Sequence, residues 1–408
     1  MRTMKCVQQD IVREVTKTTT PKINFSFHEV EVPEPDSSQV LVKIRACGLS
    51  LIKQKVLGEV LGADGRVTYP CGQDISGVVE QVGAGVTHVN IGDEVVGVLP
   101  LDSSLSGLGE FCVFNEYDLV SKPRMLSHVD AAGGIGDCVR AYSALHYQAR
   151  ICAGDTVLIL DGASSFGLCA IQITRLWGAK VITTVNSTAE KSLLDSLVPN
   201  CGHIIEVGQS SNILVSSVME ETGGIGVDVA IDNGVRMYNN EEDCNLPSER
   251  RRFTTPHKHD LISCLGVNGK WVTQQSDLQL DPPDSQALYM RGASLNFLFD
   301  GAWTLSYAQQ GRYQHILHDV VDKLDRGQIK VKVVKTVSLQ DVPEELANLD
   351  SLRTGKIRLP EVSSGAQCVS WMINSSRTQQ WSGGQGCTSE PMEHASSRPP
   401  TCHCNGRS

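Results

Sequence analysis

Val157-Leu-Ile-Leu-Asp-Gly-Ala-Ser-Ser-Phe-Gly167, followed by Leu168 to Trp177 and then Gly178-Ala-Lys-Val-Ile-Thr-Thr184, decides how this chain folds. An aliphatic run, a glycine turn, an amphipathic stretch and a second apolar run specify strand, turn, helix and strand. In such a βαβ unit the helix opens directly after the first strand and presents its N–H groups to a pyrophosphate. Gly162 and Gly167 take the first and third positions of G-x-G-x-x-G, and the second is Ser164. The middle glycine normally lets phosphates approach the backbone, so the Ser164 hydroxymethyl narrows that space. Gly162, Ala163, Ser164, Ser165, Phe166 and Gly167 are therefore the candidate pyrophosphate turn. An ordinary strand-to-helix turn has the same outline, and the flanking sequence is what separates the two.

Toward the N-terminus, short alternating strands dominate residues 1–130. The clearest are Gln39–Ala46, Ile75–Val82 and Glu94–Leu99, with turns at Gly83-Ala-Gly85 and Gly92-Asp93. This pattern predicts a compact, barrel-like β domain. Over 131–290 the pattern becomes an alternation of helix and strand. The predicted elements are helix Ala141–Ala149, strand Thr156–Leu160, the glycine turn, helix 168–177, strand Lys180–Thr184 and helix Glu190–Leu197. Strands near His203–Val207 and Val227–Ile231, helix Asp260–Leu265 and strand Lys270–Thr273 follow. Such a series specifies a parallel sheet with helices on both faces. The polar stretch Tyr238–Pro256 reads as a long surface loop. Residues 291–360 return to mixed strand and helix, closing on a strand at Gly355–Leu359, and 361–408 are Ser-, Gly- and Gln-rich without an apolar period. That composition predicts a disordered tail. Its Cys402-His-Cys404, with Cys387 and His394, matches no zinc spacing. Deleting 361–408 is accordingly expected to leave the melting temperature within about 5 °C of the full chain, and a larger fall would show that the tail packs on the fold.

A chain of 408 residues exceeds one ordinary core, so two domains are expected. Hydrophobic residues at 40% and charged residues at 20% fit a globular protein. The net charge of −10 and the lack of any basic run beyond Arg250-Arg251-Arg252 argue against nucleic acid or anionic membrane as partners. No segment offers the ~18 uninterrupted apolar residues of a spanning helix, and Met1–Val15 lacks the apolar core of a signal peptide. The 14 cysteines are scattered singly through apolar runs, which reads as reduced thiols and a cytosolic location.

Several motifs then fall in one colinear series. Gly72-Gln-Asp-Ile-Ser-Gly77, Val82-Gly83 and Ile91-Gly-Asp-Glu-Val95 resemble the N-terminal domain of the medium-chain dehydrogenases/reductases. Ala144-Leu-His146, Gly154-Asp-Thr-Val-Leu158, the glycine turn and Gly178-Ala-Lys-Val-Ile182 resemble their nucleotide domain. Thr222-Gly-Gly-Ile-Gly-Val-Asp228 and Gly355-Lys-Ile357 complete it, so the resemblance covers roughly residues 25–360. Within that superfamily the chain is most similar to the zeta-crystallin/quinone oxidoreductase branch. The resemblance implies an α/β protein in which a GroES-like β-rich catalytic domain, built from both ends of the chain, surrounds a Rossmann domain with a doubly wound parallel sheet. It also implies a dimer or tetramer formed through the Rossmann edge.

The same resemblance bears on chemistry. Zinc-dependent members place a Cys and a His where this chain has Ser50 and Gln73, and a hydroxyl and an amide are poor zinc ligands beside thiolate and imidazole. The cysteine-rich structural lobe is also missing, because Cys112 stands alone there. Cys47 and Cys71 lie off register and read as structural, so no metal is expected. At the end of the second nucleotide-domain strand an NAD enzyme usually carries an acid, and here Val185 precedes Asn186, Ser187 and, one turn later, Lys191. Hydroxyl and amide donors with an ammonium suit a 2′-phosphate, so NADP(H) is the expected cofactor. Ser187 or Thr188 also reads as the helix N-cap, which is compatible.

On the substrate side, the quinone reductases' Asn-x-x-Asp-x-Tyr becomes Ser50, Lys53 and Lys55, and a helix position often held by Thr becomes Arg140. Ser50, Lys53 and Arg140 are the candidate catalytic residues, with Lys53 or Arg140 offering positive charge to an oxygen that becomes anionic. The expected activity is a zinc-independent, NADPH-dependent reduction of a small quinone or activated enone. The alternative is a nucleotide-binding or scaffold protein with little or no turnover, in which these replacements are surface residues.

Overall fold

The computed structural model describes residues 2–12, 22–49, 68–207, 212–237, 256–333 and 335–346. Strands β1 (Thr3–Val12), β2 (Lys22–Glu31), β3 (Gln39–Gly48), β4 (Thr68–Pro70), β5 (Asp74–Val82), β6 (Glu94–Val98), β7 (Phe111–Asn115) and β8 (Leu119–Ser121) form the N-terminal β layer. They assemble as a three-stranded sheet, β2-β1-β4, and a five-stranded antiparallel sheet, β7-β3-β5-β6-β8. Alternation in β3 and β5 sends Val40, Val42, Ile44, Ile75 and Val79 into one apolar cluster. Cys47 and Cys71 are buried in it.

The helix predicted over Ala141–Ala149 begins much earlier. Helix α1 runs His128–Tyr142 and passes into a π-helical segment, Ser143–Ala149. Ser127 caps it, its Oγ accepting from Asp130 N at 3.0 Å. The sequence hid this helix because every residue from Ala131 to Tyr142 is buried, so no polar face marks a helical period. Glycines that read as breakers are contact points: a Cβ on Gly136 would lie 2.3 Å from Asp74 Oδ2, and one on Gly134 would lie 2.5 Å from Val331.

Beyond α1 come β9 (Thr156–Ile159), α2 (Ser165–Leu176), β10 (Lys180–Val185), α3 (Thr188–Leu197), β11 (His203–Glu206), α4 (Asn212–Glu221) and β12 (Val227–Ile231). Next are α5 (Lys258–Cys264), β13 (Leu265–Thr273), α6 (Pro282–Arg291), β14 (Ser294–Phe297), α7 (Gly301–Thr304) and α8 (Gln310–Asp325). The six strands form one parallel sheet ordered β11-β10-β9-β12-β13-β14. The order reverses between β9 and β12, which opens a crevice at the carboxyl ends of the strands. The sheet is buried on both faces: Val157, Leu158, Ile159, Val229, Ala230, Ile231 and Val272 are fully inaccessible. At about 1.5–3 kcal/mol for each large aliphatic, this layer dominates the stability of the nucleotide half. β13 begins five residues before its predicted start, through a Val227/Val229 register shift against β12. The predicted loop Tyr238–Pro256 (all but its last residue), the closing strand Gly355–Leu359 and the tail 361–408 lie outside the described residues.

Candidate active site

The glycine turn sits at the switch point, between β9 and α2. Asp161 takes a left-handed conformation at φ 58°, and Gly162 N donates to Thr184 O at 2.9 Å, so the turn is pinned to β10. A side chain is excluded at both glycines. A Cβ on Gly162 would lie 2.0 Å from Thr183 Oγ1, and one on Gly167 would lie 2.4 Å from Asp161 O. Those are the tight-turn and helix-packing roles of the first and third fingerprint glycines.

Ser164 departs from the expected picture. Its side chain does not stand out from the turn; it folds back as the N-cap of α2, donating to Asp161 O at 2.7 Å and accepting from Gly167 N at 3.0 Å. The turn therefore supplies one of its own helix N–H groups with an acceptor. The N–H groups of Ser165 and Phe166 belong to the first turn and have no intrahelical acceptor. Ser164→Gly is expected to tighten NADPH binding about three- to tenfold by releasing Gly167 N, at a cost in helix stability of only a few tenths of a kcal/mol. Unchanged affinity by fluorescence titration would show that this N–H does not face the phosphates.

At the end of β10, Ser187 caps α3 and accepts from Glu190 N at 3.3 Å, while Glu190 Oε2 accepts from Asn186 N at 2.6 Å. Sequence reading singled out Asn186, Ser187 and Lys191 but missed Glu190, although Ser-x-x-Glu is a capping signal. The Glu190 carboxylate is buried against the turn, whereas Lys191 stands exposed beside it. The ammonium at this helix start is therefore the group open to a ligand.

Arg140 is not a surface residue. It is 3% exposed and reaches from α1 to the carboxyl edge of the sheet. Its Nη1 donates to Gln274 Oε1 at 3.3 Å, its Nη2 lies 3.7 Å from Asp137 Oδ1, and its Nε lies 3.6 Å from Asp300 Oδ1. Its guanidinium carbon is 5.9 Å from the Phe166 ring centroid, which ties the cluster to the glycine turn. Two flanking carboxylates offset its charge, so it offers directed N–H donors more than a net positive field. Below it, Asp232 at the end of β12 accepts from Trp271 Nε1 at 2.5 Å, Gly234 N at 2.7 Å and Thr273 Oγ1 at 3.0 Å. Burial pushes the Asp232 carboxyl up, and those donors pull it back. On α8, Tyr313 is buried; burial first, and then Asp118, Asp74 and Asp300, raise its phenol so that it stays protonated. Directly after Asp300, Gly301 fits between Phe299 and Leu101: a Cβ there would lie 2.3 Å from Leu101 and 2.8 Å from Phe299.

Sequence reading therefore found Arg140 but not its partners Gln274, Asp137 and Asp300. Gln274 carried one usable signal, its place directly after a predicted strand of a parallel sheet. Ser50, Lys53 and Lys55 lie outside the described residues. Among the described residues, His259, Asp281 and Asp284 alone bring potential metal-ligand atoms together. The Lys258 ammonium already fills that position, 2.8 Å from Asp281 and 2.9 Å from Asp284. Among the described residues no helix is long and apolar enough to cross a membrane.

Comparison with known proteins agrees with this geometry. The alcohol dehydrogenase GroES-like domain family matches residues 36–150. Quinone oxidoreductase-like protein 1 of Mus musculus is 45% identical over 311 residues, covering 76% of this chain and 87% of that protein. Quinone oxidoreductase of Rattus norvegicus is 27% identical over 267 residues, covering 65% of this chain and 74% of that protein. Among solved structures, a mycobacterial protein complexed with NADPH superposes with a TM-score of 0.67 at 22% identity, covering 90% of this chain and 99% of its own. The β-rich N-terminal layer, the switch-point crevice and these likenesses together place the chain in the zeta-crystallin/quinone oxidoreductase branch of the medium-chain dehydrogenases/reductases, to which it belongs.

Proposed function

We propose that this protein is a zinc-independent, NADPH-dependent reductase of small quinones or activated enones. The observation that carries the reading is the junction of the glycine turn with the buried Arg140 cluster at the reversal of strand order. The names of the relatives and the NADPH-bound structural neighbour support it.

The residues present fit such a cofactor. Gly162 and Gly167 form a cradle that a Cβ would fill, and an unpartnered buried donor lies at the far side of the crevice. The turn from Gly162 through Ala163, Ser164, Ser165 and Phe166 to Gly167 would hold the pyrophosphate, and Asn186, Ser187 and Lys191 the 2′-phosphate. When bound, NADPH supplies the hydride. The chain's own groups then orient and shield. Arg140 presents N–H donors toward an oxygen gaining charge, while the exposed Phe299 and half-buried Leu101 offer an apolar surface to a planar acceptor. Ser50 and Lys53 complete the proposed catalytic set from the first loop.

No zinc takes part in this reading, so the purified protein is expected to hold no stoichiometric zinc after dialysis. One zinc per chain by elemental analysis would overturn that point. Self-association is proposed through β14, one of the two edge strands of the sheet, whose Phe297 and the nearby Tyr289 and Met290 are exposed. The cytosol is the proposed compartment, in keeping with nine free thiols among the described cysteines. The test of activity is NADPH oxidation in the presence of a naphthoquinone or an α,β-unsaturated ketone. Cofactor binding without turnover of either class would favour the scaffold reading, for which the self-capped Gly167 N–H is the specific observation.

A further inference from the structure

Gln274 directly follows β13, at the carboxyl edge of the parallel sheet. Its amide orientation is fixed by chemistry. Arg140 Nη1 can only donate, so the facing Gln274 atom is the carbonyl oxygen, at 3.3 Å. The Nε2 end must therefore turn away from Arg140. That nitrogen is shielded from solvent and bonds no other group among the described residues. A buried donor left unpaired costs about 1–3 kcal/mol, and folded chains rarely keep one without a use for it.

Position narrows the use. Strand β13 lies three strands from β10, a span of about 14 Å at the spacing of a sheet, with the glycine turn between them. A dinucleotide lying across the switch point with its 2′-phosphate at the end of β10 brings its opposite end to β12 and β13. Resting on the nucleotide reading above, we propose that Gln274 Nε2 donates to the carboxamide oxygen of the nicotinamide, and that Arg140 is a positioning residue that holds the Gln274 amide in the donating orientation. Asp137 and Asp300 serve the same end by fixing the guanidinium from two other sides. The pair thus selects a ring bearing a strong acceptor, and it sets which face of that ring meets the substrate side of the crevice.

The test uses the full chain and three ligands: NADP⁺, its thionicotinamide analogue, whose sulfur is the poorer acceptor, and 2′,5′-ADP, which lacks the ring. Affinities are measured by calorimetry. Gln274→Leu, and Gln274→Glu, which keeps the contact to Arg140 but presents an acceptor, should each weaken NADP⁺ about three- to tenfold. Both should abolish the wild-type preference for NADP⁺ over the thio analogue and leave 2′,5′-ADP unchanged. Arg140→Lys should lose the same preference without changing 2′,5′-ADP affinity, which a purely structural role for Arg140 does not predict. Constant 2′,5′-ADP affinity also certifies that each variant is folded. If the variants keep the wild-type ratio between NADP⁺ and the thio analogue while 2′,5′-ADP binds normally, the Gln274 assignment is wrong and the nucleotide reading stands. If 2′,5′-ADP does not bind the wild-type chain, both fall together.

Discussion

Lys191→Ala is expected to weaken NADPH binding about ten- to hundredfold while leaving NADH nearly unchanged. The ammonium is exposed at the start of α3, immediately after Glu190 has turned its carboxylate back onto Asn186 N. A 2′-phosphate reaching the end of β10 therefore meets a cation, and its affinity gains a charge-assisted contact worth roughly 1.5–3 kcal/mol. NADH has no group there. Paired titrations of the two cofactors check this, and equal weakening of both would place the 2′-phosphate elsewhere. The contact is exposed, so the difference between wild type and variant should shrink as salt is raised.

Asp232→Ala should produce the largest loss of stability. The carboxylate is fully buried and takes hydrogen bonds from Trp271, Thr273 and Gly234. Its removal strands three buried donors at the junction of β12 and β13, at a cost of about 3–5 kcal/mol in total. For a chain of this size the melting temperature should fall by roughly 4–6 °C. Asp232→Asn keeps an acceptor for one or two of the donors and should recover part of the loss. A melting temperature within a degree of wild type for the alanine variant would mean that water replaces the carboxylate and the junction is not dry.

The two halves of the molecule were not equally legible in the sequence. The βαβ unit could be read because β9 is a nearly continuous aliphatic run and β10 a buried β-branched one, with Gly162 and Gly167 marking the turn between them. Strand Val227–Ile231 matched to the residue for the same reason. Helix α1 could not be read. Its Ala131-Ala-Gly-Gly-Ile-Gly136 stretch is packed on every side, so close approach to Asp74 and Val331, and not amphipathicity, selects its residues. The site followed the same division. Fingerprint spacing made Ser164 visible, the helix-start pattern Ser187 and the family resemblance Arg140, but what Arg140 does depends on partners far away in sequence. Gln274 and Asp300 meet Arg140 only because the sheet brings the ends of β13 and β14 to one edge, and no local pattern encodes that meeting. Ser164 was misjudged in one respect: its type and position were clear, but the direction of its side chain was set by the free Gly167 N–H of the helix it opens.

The fluorescence of NADPH, titrated with the full chain, tests the nucleotide reading most directly. Saturable binding, displaced by 2′,5′-ADP and weakened by Lys191→Ala, is the expected result. No change in NADPH fluorescence with either the wild-type chain or the Ser164→Gly variant, at cofactor concentrations up to the millimolar range, would contradict it and leave the fold as a scaffold.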